Sequence, residues 1–367
     1  MSRGKGRFDY ILLIVVLALV GLGIVMVYST SAIIAGDRYQ DSYYFLKRQA
    51  LNAGIGLTVM IALMFFPYAF LKRLAYPLLI LSVLALIAVL IPGIGVRAGG
   101  SMRWLRIFSF TFQPSEFAKV GLVIFLAYFL TKKEEKIRSF SFGFLPTLLI
   151  SCLVIGLVLK EPDFGTAFFL MVMVFLLLFL GGARVIYILG ALLLGAPVVY
   201  YLLTNAAYRY RRLMSFIQPW DDPTGTSFQI IQSFLSFGSG GIFGLGLGEG
   251  KQKLFFLPAP HTDFIFSIIG EEMGMVGAML VVLLFFIFAL RGMQIGYLVE
   301  DRFGSYLALG LTLMISLQAV INMGVVLGLL PTKGLTLPFI SYGGTSLIAN
   351  LAGVGILLHL STLSRTK

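Results

Sequence analysis

Ten apolar stretches, each long enough to cross a bilayer, divide this chain; they fall at 10–29, 47–66, 73–91, 113–130, 143–159, 164–181, 184–203, 263–290, 304–330 and 341–361. A crossing helix takes roughly 20 residues at about 1.5 Å rise per residue. Inside hydrocarbon every backbone N–H and C=O needs a partner within the segment, so stretches of this length take the form of helices. The expectation is an all-α integral membrane protein, one polytopic membrane domain over 1–367 with about ten transmembrane helices. Composition agrees: 59% of residues are hydrophobic and 12% are charged, against about 25% charged in a soluble domain. The first stretch lacks a small-residue cleavage site and is expected to stay as a span rather than act as a signal peptide. Cys152 is the one cysteine, which excludes disulfides and a thiolate metal site.

Connections between the stretches are short except for 204–262, between the seventh and eighth. That segment is too polar to cross and is expected to form a large extracytoplasmic loop. Within it, 227–237 reads as a short amphipathic or re-entrant helix, followed by the glycine-rich run 238–250. An even number of crossings puts both termini on one side. The 28 lysines and arginines divide 14 to 14 between the two sides; leaving out Arg209, Arg211, Arg212, Lys251 and Lys253 of the long loop makes the balance 14 against 9. The positive-inside rule counts short loops, so both termini are expected to be cytoplasmic. The outer side still carries Arg103, Arg106, Lys119, Lys160 and Lys333. Ordinary snorkelling would explain any one of them; as a set they suggest an anion, such as a lipid head group or a diphosphate.

Three clusters could carry chemistry. Gln113-Pro-Ser-Glu-Phe-Ala-Lys119 opens the fourth span, with Pro114 suited to a first helical turn. Glu116 and Lys119 share a helix face and can pair; they either form a local ion pair or wall a polar cavity. In Lys160-Glu-Pro-Asp-Phe-Gly-Thr166, Asp163 is placed to cap the sixth helix. In Pro258-Ala-Pro-His-Thr-Asp-Phe-Ile-Phe266, Asp263 stands where polar loop meets hydrocarbon. It could cap the eighth helix, accept a proton, or hold a divalent cation through hard oxygens. A low-dielectric setting would raise its pKa and a helix N-terminus would lower it, and the sequence leaves the balance open. Glu271 and Glu272 read as buried partners for a basic residue. The run 244–250 follows no strand and opens no βαβ unit, so it is not a nucleotide loop. His261 and His359 lack the spacing of a zinc site, and His359 is expected at the inner interface.

Gln113-Pro-Ser-Glu116, Glu161-Pro-Asp-Phe-Gly-Thr166, the run 252–266, and Pro331-Thr-Lys-Gly-Leu-Thr-Leu-Pro-Phe-Ile-Ser-Tyr-Gly-Gly-Thr-Ser346 with upstream Asn322 together resemble the SEDS proteins, the FtsW/RodA/SpoVE family. The resemblance covers nearly the whole chain, with the motifs in order. It implies an inverting peptidoglycan glycosyltransferase that polymerises lipid II on the outer face of the bacterial cytoplasmic membrane. It also implies a class B penicillin-binding protein as partner, alongside other divisome or elongasome proteins. In that family the aspartate of the His-Thr-Asp motif is required for polymerisation, a role that falls on Asp263. Thr332-Lys-Gly334 looks like the FtsW, division-specific branch; a RodA-type role in elongation is the alternative within the family. Thr111 and Phe112 stand where some members carry a basic residue, which would shift any phosphate contact to Arg103 or Arg106.

On this reading Asp263 orients and deprotonates the acceptor hydroxyl or holds a divalent cation, Mg or Mn, that does so, with no organic cofactor and no nucleic acid involved. Arg103, Lys119 and Lys333 are candidates to neutralise the departing diphosphate. Glu116, Asp163, His261 and Thr262 are expected to line the substrate site. Ser341, Tyr342, Gly343, Gly344, Thr345 and Ser346 are expected either to shape that cavity or simply to pack helices. Rival readings are a lipid II transporter, which would favour midplane sites on broken helices, and a non-catalytic divisome scaffold.

Overall fold

A computed structural model describes residues 8–98, 101–107, 110–225, 227–253, 257, 260–332 and 334–363. Among them are nine helices long and apolar enough to span a membrane. These are α1 (Tyr10–Tyr39), α2 (Tyr44–Phe65), α3 (Tyr68–Leu90), α4 (Pro114–Lys132), α5 (Leu145–Lys160, entered through a π-turn at Phe140–Phe144), α7 (Val185–Thr204), α11 (Gly274–Leu298), α12 (Arg302–Val326) and α13 (Gly344–Ser361). The tenth expected span is α6 (Phe164–Leu180), apolar but only 17 residues long. The chain is a multi-pass membrane protein. Short helices α8 (Ala207–Ile217), α9 (Phe228–Gly240) and α10 (Ile265–Glu272) belong to the connection between α7 and α11. The expected loop helix at 227–237 is thus α9.

The chain is predominantly helical, as expected, and three details differ. The all-helical reading omitted a three-stranded antiparallel sheet between α3 and α4: β1 (Gly95–Ala98), β2 (Ser101–Ile107) and β3 (Phe110–Phe112), in the order β1-β2-β3. Arg97 pairs with Met102 and Leu105 with Phe112. The strands are too short, and their alternation too irregular, to stand out beside the flanking apolar runs. The first helix runs 30 residues, to Tyr39 rather than 29, and so stands proud of a hydrocarbon layer about 30 Å thick. The eighth span is not continuous. Gly274 breaks it with a φ of +67°, a left-handed conformation that only glycine adopts freely.

That break explains the glycine-rich run. Leu245 N–H and Gly246 N–H donate to the carbonyls of Glu271 (3.0 Å) and Glu272 (3.0 Å), while Met275 and Val276 N–H donate to Gly241 O (2.9 Å) and Ile242 O (3.1 Å). The loop therefore supplies partners to the backbone groups that the interrupted helix leaves open. A side chain on Gly244 would run into the Glu272 carbonyl. Beneath it, Lys253 Nζ meets Glu272 Oε1 at 2.7 Å and Gly248 O at 2.6 Å, with Ser29 Oγ bonded to Glu272 at 2.7 Å. Glu271 accepts the N–H of Lys251 at 2.7 Å. Glu272 is the buried partner of a basic residue, as expected; Glu271 is buried too but takes backbone N–H groups of the loop instead.

The centre of the bundle is α4, α12 and α13, each with 78% of its apolar window buried; α7, at 0%, stands at the rim with its side chains facing outward. At the face carrying the termini, Asp9 caps α1 by accepting Leu12 N–H (2.9 Å), pairs with Arg291 (2.7 Å) and donates its own N–H to Ser361 Oγ (3.0 Å). One residue thereby joins α1, α11 and α13. His359 Nδ1 lies 2.8 Å from Met64 O on the same face. Counting crossings from there puts the sheet, the α5–α6 turn, the 204–264 connection and the 327–343 segment together on the opposite face.

Candidate active site

On that opposite face a cavity of about 490 Å³ lies between the sheet, the α5–α6 turn, α6, α7, α8 and the segment following α12. Its polar side carries Arg103 from β2, Asp163 from the turn, Arg209 and Arg212 from α8, and Gly334; its apolar side includes Phe168, Val199, Leu203 and Leu330. Side chains three apart on a strand point to opposite faces. Accordingly Arg103 reaches the cavity and Arg106 lies exposed, away from it.

Asp163 does two jobs at once. Its Oδ1 accepts Thr166 N–H at 3.0 Å, capping α6, and its Oδ2 accepts the Thr166 hydroxyl at 2.9 Å while facing Arg103 Nε at 3.6 Å. Arg103 Nη2 also donates to Pro162 O at 2.8 Å. The guanidinium is thus fixed at the wall of the cavity.

Asp263 does not cap a helix: α10 begins at Ile265, and no side chain bonds its first turn. Instead the turn that carries it is pinned at three successive carbonyls. Tyr342 N–H donates to His261 O (2.8 Å), Ser341 Oγ to Thr262 O (2.7 Å) and Asn322 Nδ2 to Asp263 O (2.8 Å). Asn322 Nδ2 also holds Leu335 O at 2.7 Å, and Ser341 Oγ accepts Leu337 N–H at 2.8 Å. The partly buried carboxylate is therefore set on a rigid backbone facing Gly334, whose Cα hydrogen side lies between it and Arg103. A Cβ there would stand 3.3 Å from Asp263 Oδ2 and 3.9 Å from Arg103 Nη1. Burial pushes the Asp263 carboxyl up to about 6; Arg212 and then Arg103 pull it down, and Asp163 adds to the rise. The opposition expected from a helix N-terminus is replaced here by the two arginines, and burial outweighs them.

The remaining expected site residues do not all converge. Lys119 is buried between α4 and α12, 2.8 Å from Glu116, 2.7 Å from Gln318 Oε1 and over the Phe169 ring. It does not line the cavity, because its charge is already neutralised inside the bundle; Glu116 lies with it. From Gln318 the network continues to Thr336 O (2.9 Å), and Thr336 Oγ1 meets Ser346 Oγ at 3.1 Å. This network braces the segment that holds Gly334. His261 packs on Phe45 (ring centroids 4.5 Å apart) and Tyr342 (5.6 Å), outside the cavity. Burial and then Arg38 hold its imidazole down at about 4, so it is neutral. Thr345 bonds Gln113 N–H at 3.3 Å, and Gly344 leaves room for the Asn52 side chain; with Gly343 these residues brace the site rather than face it. Lys333 lies outside the described residues.

Sequence reasoning passed over Arg209 and Arg212, which it had counted only as loop charge. The available signal was their spacing: three apart on a helix, they share a face, while Arg211 does not. As for a metal, no group of three or more His, Cys, Asp or Glu side chains converges among the described residues. Asp163 already has both oxygens occupied. One open carboxylate beside an anion pocket suits magnesium, which takes one or two carboxylates and completes its shell with substrate phosphates and water.

Comparison with known proteins settles the family. The model of the FtsW/RodA/SpoVE family, described as "Cell cycle protein", matches residues 10–366. The chain belongs to the FtsW/RodA/SpoVE family. Relatives in that family include the probable peptidoglycan glycosyltransferase FtsW of Geobacter metallireducens, 48% identical over 97% of this chain and 95% of the relative. Stage V sporulation protein E of Bacillus subtilis is 42% identical over 100% of both. Among solved structures, one described as "Structural coordination of polymerization and crosslinking by a peptidoglycan synthase complex" superposes with a TM-score of 0.80 at 32% identity, covering 96% of this chain and 97% of the other. The rod shape determining protein RodA of Thermus thermophilus gives 0.71 at 30% identity, covering 98% of each. The FtsW/RodA/SpoVE likeness therefore includes the cavity-bearing face and the bundle beneath it.

Proposed function

We propose that this chain is an FtsW-branch peptidoglycan glycosyltransferase that polymerises lipid II at the outer face of the bacterial cytoplasmic membrane, with both termini cytoplasmic and a class B penicillin-binding protein as partner. The observation that carries the reading is the Asp263 carboxylate, partly buried against Gly334 and within electrostatic reach of Arg212 and Arg103, which with Gly334 line the cavity. The names of the relatives and of the superposed synthase complex support it. Thr332-Lys-Gly334 supports the division branch.

In the reaction, the acceptor sugar's 4-hydroxyl oxygen bonds to the donor's anomeric carbon as the bond from that carbon to the prenyl diphosphate breaks. Attack from the face opposite the diphosphate inverts the carbon. Asp263 accepts the hydroxyl proton; a carboxyl at about 6 is ionised at neutral pH yet basic enough to help. Arg103, Arg209 and Arg212 stabilise the charge that gathers on the departing diphosphate. The apolar side holds prenyl carbons and so limits the reactants to few orientations. A divalent cation, Mg or Mn, held by Asp263 together with substrate phosphates would add to that charge stabilisation.

The test is glycan synthesis from lipid II by the purified protein with magnesium and its cognate class B penicillin-binding protein. Wild type should give glycan chains, and Asp263→Ala should lower the rate at least a hundredfold, within the range of about 10²–10⁴ for general-base removal. Abundant polymer from the variant removes Asp263 as the base. An inactive wild type with its partner present moves the function to transport or scaffolding.

A further inference from the structure

Glu161 closes α5 immediately before the turn that carries Pro162 and Asp163. It is fully buried, and neither carboxylate oxygen has a hydrogen-bond partner. The local donors are committed elsewhere. The N–H of Glu161 bonds Leu157 O (3.3 Å) and Val158 O (3.1 Å), and the N–H of Asp163 bonds Val158 O (3.3 Å). Pro162 has no N–H to offer, and Thr166 gives both its N–H and its hydroxyl to Asp163. An ionised carboxylate needs several donors; a neutral carboxylic acid needs far less.

Two charged groups act on Glu161: Asp163 on the same turn and Arg103 from β2. Lys160 beside it is exposed. Burial, with the Asp163 charge adding to it and Arg103 opposing, pushes the Glu161 carboxyl up to about 8. Arg103 meanwhile keeps its Nε–H without a hydrogen-bond partner, although the group is buried. Among the described residues Arg103 is the cation that acts on Glu161, and its Nε–H, 3.6 Å from Asp163 Oδ2, is not tied by a hydrogen bond.

We propose that Glu161 works as an uncharged acid, a positioning residue whose neutrality leaves the Arg103 guanidinium at the cavity wall beside Asp163 and Asp263. Ionised, Glu161 is a buried anion whose cation in reach, among the described residues, is Arg103. Arg103 then turns its Nε–H toward it, loosens from Pro162 O, and withdraws from the diphosphate. The consequence for catalysis rests on the polymerase reading above; the protonation state of Glu161 does not.

The experiment follows lipid II polymerisation by the full-length protein with its partner across pH 6 to 9.5, for wild type, Glu161→Gln and Glu161→Met. Both substitutions keep the side chain's length and remove its charge. A group titrating at about 8 is roughly one-tenth neutral at pH 9, so wild-type activity should fall about tenfold from pH 7 to pH 9. Both variants should stay within about twofold of wild type at pH 7 and lose that alkaline decline. A decline shared by wild type and both variants overturns the proposal, as does an inactive variant at pH 7 that is monodisperse and unfolds at the wild-type temperature. Difference infrared spectra of wild type against Glu161→Gln read the carboxyl directly: a protonated C=O band should be present at pH 7, halve near pH 8 and be nearly gone by pH 9.5. Its absence at pH 7 overturns the proposal whatever the activity. A wild type inactive at every pH counts instead against the polymerase reading.

Discussion

At the scale of single residues, the site separates groups that touch the reaction from groups that hold them. Asp263 belongs to the first kind and must be ionised to accept a proton. Its carboxyl lies at about 6 because burial outweighs Arg212 and Arg103, so it binds a proton as pH falls through that value. Initial rates of glycan synthesis should therefore drop about tenfold per pH unit below pH 6, and a rate unchanged down to pH 5 would exclude Asp263 as the base. Asp163 and Asp263 were legible in the sequence because each follows a proline-marked turn at the edge of an apolar run. Lys119 was legible as half of an ion pair but not in its location. Spacing puts Glu116 and Lys119 on one face of α4 without saying that this face meets Gln318 of α12 rather than a cavity. Arg212 was missed for the converse reason: its partner in charge, Asp263, is brought near only by folding of the long loop.

At the scale of elements, the join of α10 and α11 shows how a loop can complete a broken helix. Lys253 and Glu272 are both nearly inaccessible to solvent (3% and 1% exposed) and 2.7 Å apart. Glu272→Gln leaves the lysine charged in a buried site, which typically costs about 3–5 kcal/mol. The variant should show a lower thermal unfolding midpoint in detergent and faster proteolysis within 241–253. Adding Lys253→Met should recover most of the loss, since an apolar pair removes the stranded charge. The sequence pointed to a basic partner for Glu272, but not to the backbone role of Glu271 or to the break. Glu271-Glu272 directly before Met273-Gly274 mark a polar step, but a helix can carry such a pair uninterrupted, and the backbone partners that make the break tolerable come from the preceding loop.

At the scale of the whole molecule, burial grades from α4, α12 and α13 at the centre to α7 at the rim. Packing rather than hydrophobicity holds helices together in lipid, so the cost of a truncation should follow this gradient. Phe125→Ala on α4, fully buried, should lower the unfolding midpoint markedly. Leu194→Ala on α7, 79% exposed, should leave it within about 1 °C. The number and order of the crossings were legible because each apolar run is long. Which run lies central was only hinted at: α12 carries Gln318 and Asn322 where α7 is almost wholly apolar, but which neighbours those amides meet follows only from the fold.

The outlying position of α7 has a consequence for traffic. One end of this helix, at Val199 and Leu203, forms the apolar flank of the cavity, while the rest, apart from buried Ile188, is partly or fully exposed. A molecule with a long isoprenoid tail would come in sideways from the outer leaflet, its head never leaving the interface. The spent carrier would depart by the same lateral door. Carrier diphosphate left in the membrane would then compete with fresh substrate for one berth, tying the pace of wall synthesis to how quickly that carrier is cleared.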